Sequence, residues 1–159
     1  MPHDTVSASS VIDAPAGRLY GILADYRVHH PRIVPSKYFR RIDVEAGGVG
    51  AGTRTRVEMR VMGTTRRFVH VISEPDPGHI LVEADPDGSS RTTFTVDPLT
   101  GASARVTITT EFSFRPGPLG KLERALGAAV LRRIYALELA QLAEYAGSDA
   151  AHGVTWTAG

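Results

Sequence analysis

The chain has 159 residues, 42% of them hydrophobic and 22% charged, and a formal net charge of +1. That length suits one domain with a real core, and the near-neutral charge gives no bulk attraction to nucleic acid or to an anionic membrane. The absence of cysteine excludes disulfides, thiolate chemistry and cysteine-held metals together.

The opening MPHDTVSASS is polar, with no basic-then-apolar leader, so a cytoplasmic location is expected. No apolar run approaches the ~18 residues of a membrane-spanning helix. Thr5 to Ile12 is short, β-branched and polar-interleaved, which predicts a strand. Pro15 then opens AGRLYGILADY, where Leu19, Ile22 and Leu23 recur at helical spacing. Proline suits a helix start because the N–H it lacks has no partner there. His30-Pro31 and Val34-Pro35 restrict Arg27 to Val34 to one short helical turn at most. Tyr38 to Glu45 reads as a strand, and the glycine-rich GGVGAG comes next at Gly47 to Gly52.

From Thr53 the period becomes two. Thr53, Thr55, Val57, Met59 and Val61 alternate with Arg54, Arg56, Glu58 and Arg60, the pattern of a half-buried antiparallel strand. Arg66–Ser73, His79–Ala84, Arg91–Val96 and Arg105–Phe114 read as four more strands. Turns lie between them at Gly63, Pro75-Asp76-Pro77-Gly78, Asp85-Pro86-Asp87-Gly88 and Pro98 to Gly101. Strands in succession with short turns predict an antiparallel meander. Leu119 to Ala146 then holds no proline. Leu122, Leu126, Val130, Ile134 and Leu137 form one helical stripe, and Leu131, Tyr135, Leu139 and Leu142 a second. An arc that wide suits a helix gripped by a curved sheet. Gly147 and Ser148 end it, leaving residues 148–159 as a tail after a domain of residues 1–147. The sequence does not decide whether Trp156 in that tail is docked.

This order, with the VIDAPAGRLYGILADY opening, the GGVGAGT hairpin and the closing LRRIYALELAQLAEYA helix, resembles the START-like or Bet v 1-like (SRPBCC) superfamily. Within it the chain is most similar to the polyketide cyclase/dehydrase-type group. The resemblance covers roughly Thr5 to Ala146. It implies an α+β helix-grip fold: a curved antiparallel sheet of about seven strands around a long C-terminal helix, with two short helices after the first strand and an apolar cavity inside. It also implies that Val57, Met59 and Val61, Ile108, Phe112 and Phe114, and Leu126, Val130 and Ile134 face one another across that cavity. The two short helices would form its lip, bringing Tyr26, His29 or His30 to the rim. Fold alone does not choose among the superfamily's lipid carriers, aromatic-ligand binders, aromatase/cyclases and co-chaperones.

The other candidates are weighed on chemistry. The glycine run is followed by Thr53-Arg54-Thr55 and a strand, where a phosphate-binding loop needs Gly-Lys-Ser/Thr and a helix; it reads as a hairpin loop. Adjacent histidines rarely share a metal, because neighbouring side chains diverge on helix and strand alike. His29 and His30 therefore read as a solvent-exposed connector dispensable for folding, and neither metal nor cofactor is expected. His70, Arg67 and Glu83 are candidates for acid–base work inside the cavity, but the strand pattern leaves their facing open, and charged strand residues usually face solvent. Arg54, Arg56 and Arg60 with Arg66 and Arg67 suggest a basic outer face for an acidic protein partner. The expected function is binding of a small hydrophobic or aromatic molecule. The alternatives are a polyketide aromatase/cyclase and a partner-binding module.

Overall fold

The computed structural model describes residues 2–157. Seven strands build one antiparallel sheet: β1 (His3–Ile12), β2 (Phe39–Ala46), β3 (Arg54–Val61), β4 (Thr64–Asp76), β5 (Ile80–Ala84), β6 (Ser90–Thr100) and β7 (Ser103–Ser113). Their order is β1-β7-β6-β5-β4-β3-β2. The meander therefore runs from β2 to β7, and β1 closes against β7 by pairing His3 with Ser113 through to Ile12 with Ala104. Register shifts within β2, β4 and β6 bend these strands, as extra residues in a ladder do. β6 runs on to Thr100, so the expected turn shortens to Gly101-Ala102.

Two helices complete the fold, α1 (Ala16–Ala24) and α2 (Gly117–Ala146), with single 3₁₀ turns at His30–Arg32 and Asp149–Ala151. α1 buries Leu19, Tyr20, Ile22 and Leu23 completely, each worth about 1.5–3 kcal/mol of apolar transfer. α2 lies across the inner face of the sheet, and its Tyr135 hydroxyl bonds the Thr110 hydroxyl of β7. This is the helix-grip arrangement. Ile134, Tyr135, Leu139 and Leu142 are buried, whereas Leu119, Leu122 and Leu126 at the first turns of α2 are exposed. The helix is thus gripped along its C-terminal half and projects beyond the sheet at its start. Among the described residues no helix is long and apolar enough to cross a membrane.

The glycine loop fulfils its expected role. Gly47, Gly48, Gly50 and Gly52 all have positive φ, a region open to glycine at little cost. Its amides are engaged inside the protein: Gly48 N–H donates to Thr53 Oγ1, Gly50 N–H to the Ala24 carbonyl, Ala51 N–H to Glu74 Oε2 and Gly52 N–H to the Ile72 carbonyl. A phosphate would find these donors taken and the Glu74 carboxylate alongside. The β3–β4 turn is tighter. Met62 and Gly63 both have positive φ, the pattern of a two-residue type I′ hairpin.

The C-terminal segment is docked. Trp156 packs on Tyr20 with ring centroids 4.9 Å apart. The Arg18 guanidinium donates to the carbonyls of Ala146 and His152. A side chain at Gly21 would come within 2.8 Å of Val154, so the missing Cβ of Gly21 lets the segment cross α1 closely.

Candidate functional site

Between α2 and the concave face of the sheet lies a cavity of about 740 Å³, within the size range of small-molecule sites. The period-two pattern of β3 forms one wall. Thr55, Val57, Met59 and Val61 point in, together with Phe68 of β4 and Phe112 at the end of β7. Gly127, Val130, Leu131, Ile134 and Tyr135 of α2 face them. The mouth is framed by Met62, Phe114, Arg115, Glu123, Arg124 and Leu126.

The opposite end is polar and buried. Tyr26 and His30 come from the segment after α1, His70 from β4, Glu83 from β5 and Glu138 from α2. The Tyr26 hydroxyl donates to Glu83 Oε1 over 2.7 Å. The His30 ring stacks on Tyr26 at 4.5 Å and meets Phe94 edge-on at 5.7 Å. His30 Nδ1 lies 2.7 Å from the Leu23 carbonyl. A carbonyl can only accept, so Nδ1 carries the proton. Burial lowers the His30 pKa, against the pull of Glu83, so its Nε2 is bare at neutral pH. That nitrogen lies 3.7 Å from Glu83 Oε1. On the other side of Glu83, His70 Nδ1 stands 3.6 Å from Oε2, and His70 Nε2 is 3.6 Å from Asp85 Oδ1.

Three further features complete this end. Burial, and then the neighbouring Glu83, push the Glu138 carboxyl well above the carboxylate range; it is 3% exposed. Such a group avoids the desolvation of a charge by keeping its proton. Burial likewise pushes the Tyr135 phenol up to about 12, so it stays a hydroxyl within a chain through Thr110 to Thr92. Thr55 Oγ1 is buried and has no hydrogen-bond partner among the described residues.

The structure corrects several expectations. His30 is 3% exposed and sits in the inner end of the cavity with Tyr26, not at a rim or on a solvated connector. His29 turns away from it: its Nδ1 bonds the Tyr145 hydroxyl at 2.7 Å. The two histidines therefore share no site, and among the described residues no three His, Asp or Glu side chains are placed to hold a metal ion. His70 and Glu83 face inward, against the usual preference for solvent. Arg67 faces out and pairs with Glu58. Arg54 and Arg56 share Glu45, Arg60 makes no ion pair among the described residues, and Arg66 lies on the cavity side, so the supposed basic face is split and partly paired. Ile108 does not line the cavity. It is fully buried in the core, paired between Ala8 and Phe94, where the sheet is packed tight. Val57, Met59, Val61, Phe112, Phe114, Leu126, Val130, Ile134, Tyr26 and His30 do line it.

Glu138 escaped the sequence reading, although a signal was present. It stands three residues after Tyr135 and four before Leu142, inside the apolar stripe that begins at Leu131. An acidic side chain within a stripe that the sheet grips is a candidate buried carboxyl.

Comparisons with known proteins agree with this architecture. The KanY protein, solved in solution, is 24% identical over 93% of this chain and 100% of its own, with a TM-score of 0.80. A protein of Thermus thermophilus is 24% identical over 91% of this chain and 100% of its own, with a TM-score of 0.75. The Zhui aromatase/cyclase of Streptomyces sp. R1128 is 16% identical over 94% of this chain and 98% of its own, with a TM-score of 0.74. At these identities the likeness is one of fold. No curated protein matches the chain at a significant level. The sequence profile described as polyketide cyclase / dehydrase and lipid transport matches residues 3–147. The chain belongs to that family.

Proposed function

We propose that this protein binds a small molecule with an apolar or aromatic body, its far end directed at the polar group of Tyr26, His30, Glu83 and Glu138. The observation that carries this reading is the cavity itself. Its walls are apolar, and its end holds polar atoms, Thr55 Oγ1 among them, that no protein group satisfies. Leaving buried polar groups unpaired costs about 1–3 kcal/mol each. A ligand that supplies the partners recovers part of that cost.

A melting experiment tests the proposal. A neutral aromatic hydrocarbon, 2-ethylnaphthalene, at about 100 times its dissociation constant stabilises the folded state by about 2.7 kcal/mol. Val130→Trp fills the space from α2 and abolishes the shift while the protein still melts cooperatively. No shift in the parent protein for this or related hydrocarbons refutes the reading. Unfolding of Val130→Trp means that Val130 is packed core.

One observation favours a second reading, proton transfer of the aromatase/cyclase kind. The bare Nε2 of His30 is a base turned toward the cavity beside a phenol and a protonated carboxyl, which is the equipment for moving a proton at a bound carbonyl compound. The third possibility, a partner-binding arginine face, is weakened because Arg54 and Arg56 share Glu45 and Arg67 pairs with Glu58, which leaves Arg60 as its outward arginine without an ion pair among the described residues.

A further inference from the structure

The charge of the cavity selects among ligands. Its lining brings in the carboxyl groups of Glu83, Asp85 and Glu138. The lining arginines, Arg66, Arg115 and Arg124, are all exposed near the mouth. Arg115 is held by Glu123 and Arg124 by Asp4. No lysine or arginine is among the buried lining residues. A ligand carboxylate at the inner end would thus meet the oxygens of acidic side chains, with no lysine or arginine there to receive it.

Glu138 supplies the independent observation. It is buried, it lines the cavity, and it makes no hydrogen bond to another side chain among the described residues. A carboxyl without a side-chain partner, able to become an acceptor pair on losing its proton, is therefore held beside a second carboxyl, Glu83, whose one side-chain donor is the phenol of Tyr26.

We infer that the ligand carries a basic nitrogen at its buried end, an amine on an aromatic or apolar body, held between Glu138 and Glu83. This rests on the ligand-binding reading above and specifies its chemistry. An ammonium brings up to three N–H donors to oxygens that lack them, and hydrogen bonds to ionised groups are worth more than neutral ones. An alcohol brings one donor and no charge. The proton balance is explicit: the ammonium keeps its proton, the Glu138 carboxyl releases its own to solvent, and a carboxylate–ammonium pair remains. The groups that face this exchange are Glu83 on β5, Tyr26 after α1 and Tyr135 on α2 itself, with His30 and His70 on either side of Glu83.

Four probes sharing one body test the inference by titration calorimetry at pH 7 on the full chain: 2-ethylnaphthalene, 2-(2-naphthyl)ethanol, 2-(2-naphthyl)ethylamine and 3-(2-naphthyl)propanoate. The amine should bind about tenfold or more tighter than the alcohol, with the carboxylate weakest. Its binding enthalpy should vary with the ionisation heat of the buffer, the mark of a released proton. In Glu138→Gln the amine should lose its advantage over the alcohol and its proton release, and 2-ethylnaphthalene binding reports that the cavity is intact. If the hydrocarbon binds but the alcohol or carboxylate equals the amine, the inference is overturned and the cavity reading stands. If the amine keeps its advantage in Glu138→Gln, the assignment of Glu138 is overturned. If none of the four binds, the cavity reading fails and takes this inference with it.

Discussion

Replacing Glu138 by glutamine should make the empty protein more stable, and by an amount that depends on pH in a defined way. Burial and the neighbouring Glu83 raise this carboxyl well above its ordinary value of 4.5. Below that ordinary value the folded and unfolded chains are both protonated, so the acid and the amide should differ little. As pH rises past it, the unfolded chain releases the proton freely while the folded chain retains it. The folded state therefore loses about 1.4 kcal/mol per pH unit relative to the unfolded one. The loss continues until the folded carboxyl itself ionises and is constant above that. Glutamine has nearly the same shape and no proton to lose, so it escapes the penalty. One pH unit of this slope is a sizeable part of the ~5–15 kcal/mol that holds a domain together. His30 works in the opposite direction, because its lowered pKa destabilises the fold as pH falls below about 6.5. It is present in both proteins and drops out of their difference. Urea unfolding of the two chains at half-unit steps from pH 4 to pH 8 measures that difference. A gap that widens with pH in favour of glutamine is expected. A pH-independent gap would show that Glu138 ionises as easily folded as unfolded. A gap widening in favour of glutamate would show a carboxylate stabilised by a cation. Stability given up at a site that a ligand later satisfies is a recurrent cost of function.

Two further substitutions separate residues that look alike in sequence. His30→Ala should destabilise by about 2–4 kcal/mol, since it removes a buried ring and leaves the Leu23 carbonyl without its donor. His29→Ala should cost about 1 kcal/mol or less, because its one strong bond, to Tyr145, is only part-buried; thermal melts of the two would refute the contrast if they coincide. Trp156→Ala should cost about 2–3 kcal/mol by removing the partner of the Tyr20 ring. It should also make the segment after Gly147 cleave faster under limited proteolysis; an unchanged cleavage rate would show that Trp156 does not hold it.

Much of this fold was legible because local patterns pointed one way. On β3 uncharged and charged positions alternate without exception, so the inward face of Val57, Met59 and Val61 could be read directly. On β4 it could not. Val69 and Val71 on one face compete with Phe68 and Ile72 on the other, and the direction of His70 follows from whichever face is gripped. The long helix has the same ambiguity, as its apolar residues nearly encircle it. Leu122 and Leu126 join a stripe that the sheet covers only farther along, and their exposure is set by where the sheet ends. Ile108 shares a face with Phe112 but lies where the packing is closed, and periodicity cannot tell a packed wall from a hollow one. The polar end depends on segments far apart in the chain meeting, through contacts such as Tyr26 with Glu83. Such long-range meetings leave little trace in local spacing.

The most direct test of the central claim is where an apolar molecule goes. A second, more open depression of about 420 Å³ lies between α1 and the C-terminal segment, bordered by Val49 and Val154. Methyl NMR of the isotope-labelled protein during titration with 2-ethylnaphthalene distinguishes the two. The account predicts saturable shifts at the methyls of Val57, Val130 and Ile134, with Val49 and Val154 unmoved. Shifts confined to Val49 and Val154, or none at the cavity methyls as the probe is raised to its solubility limit, would contradict it.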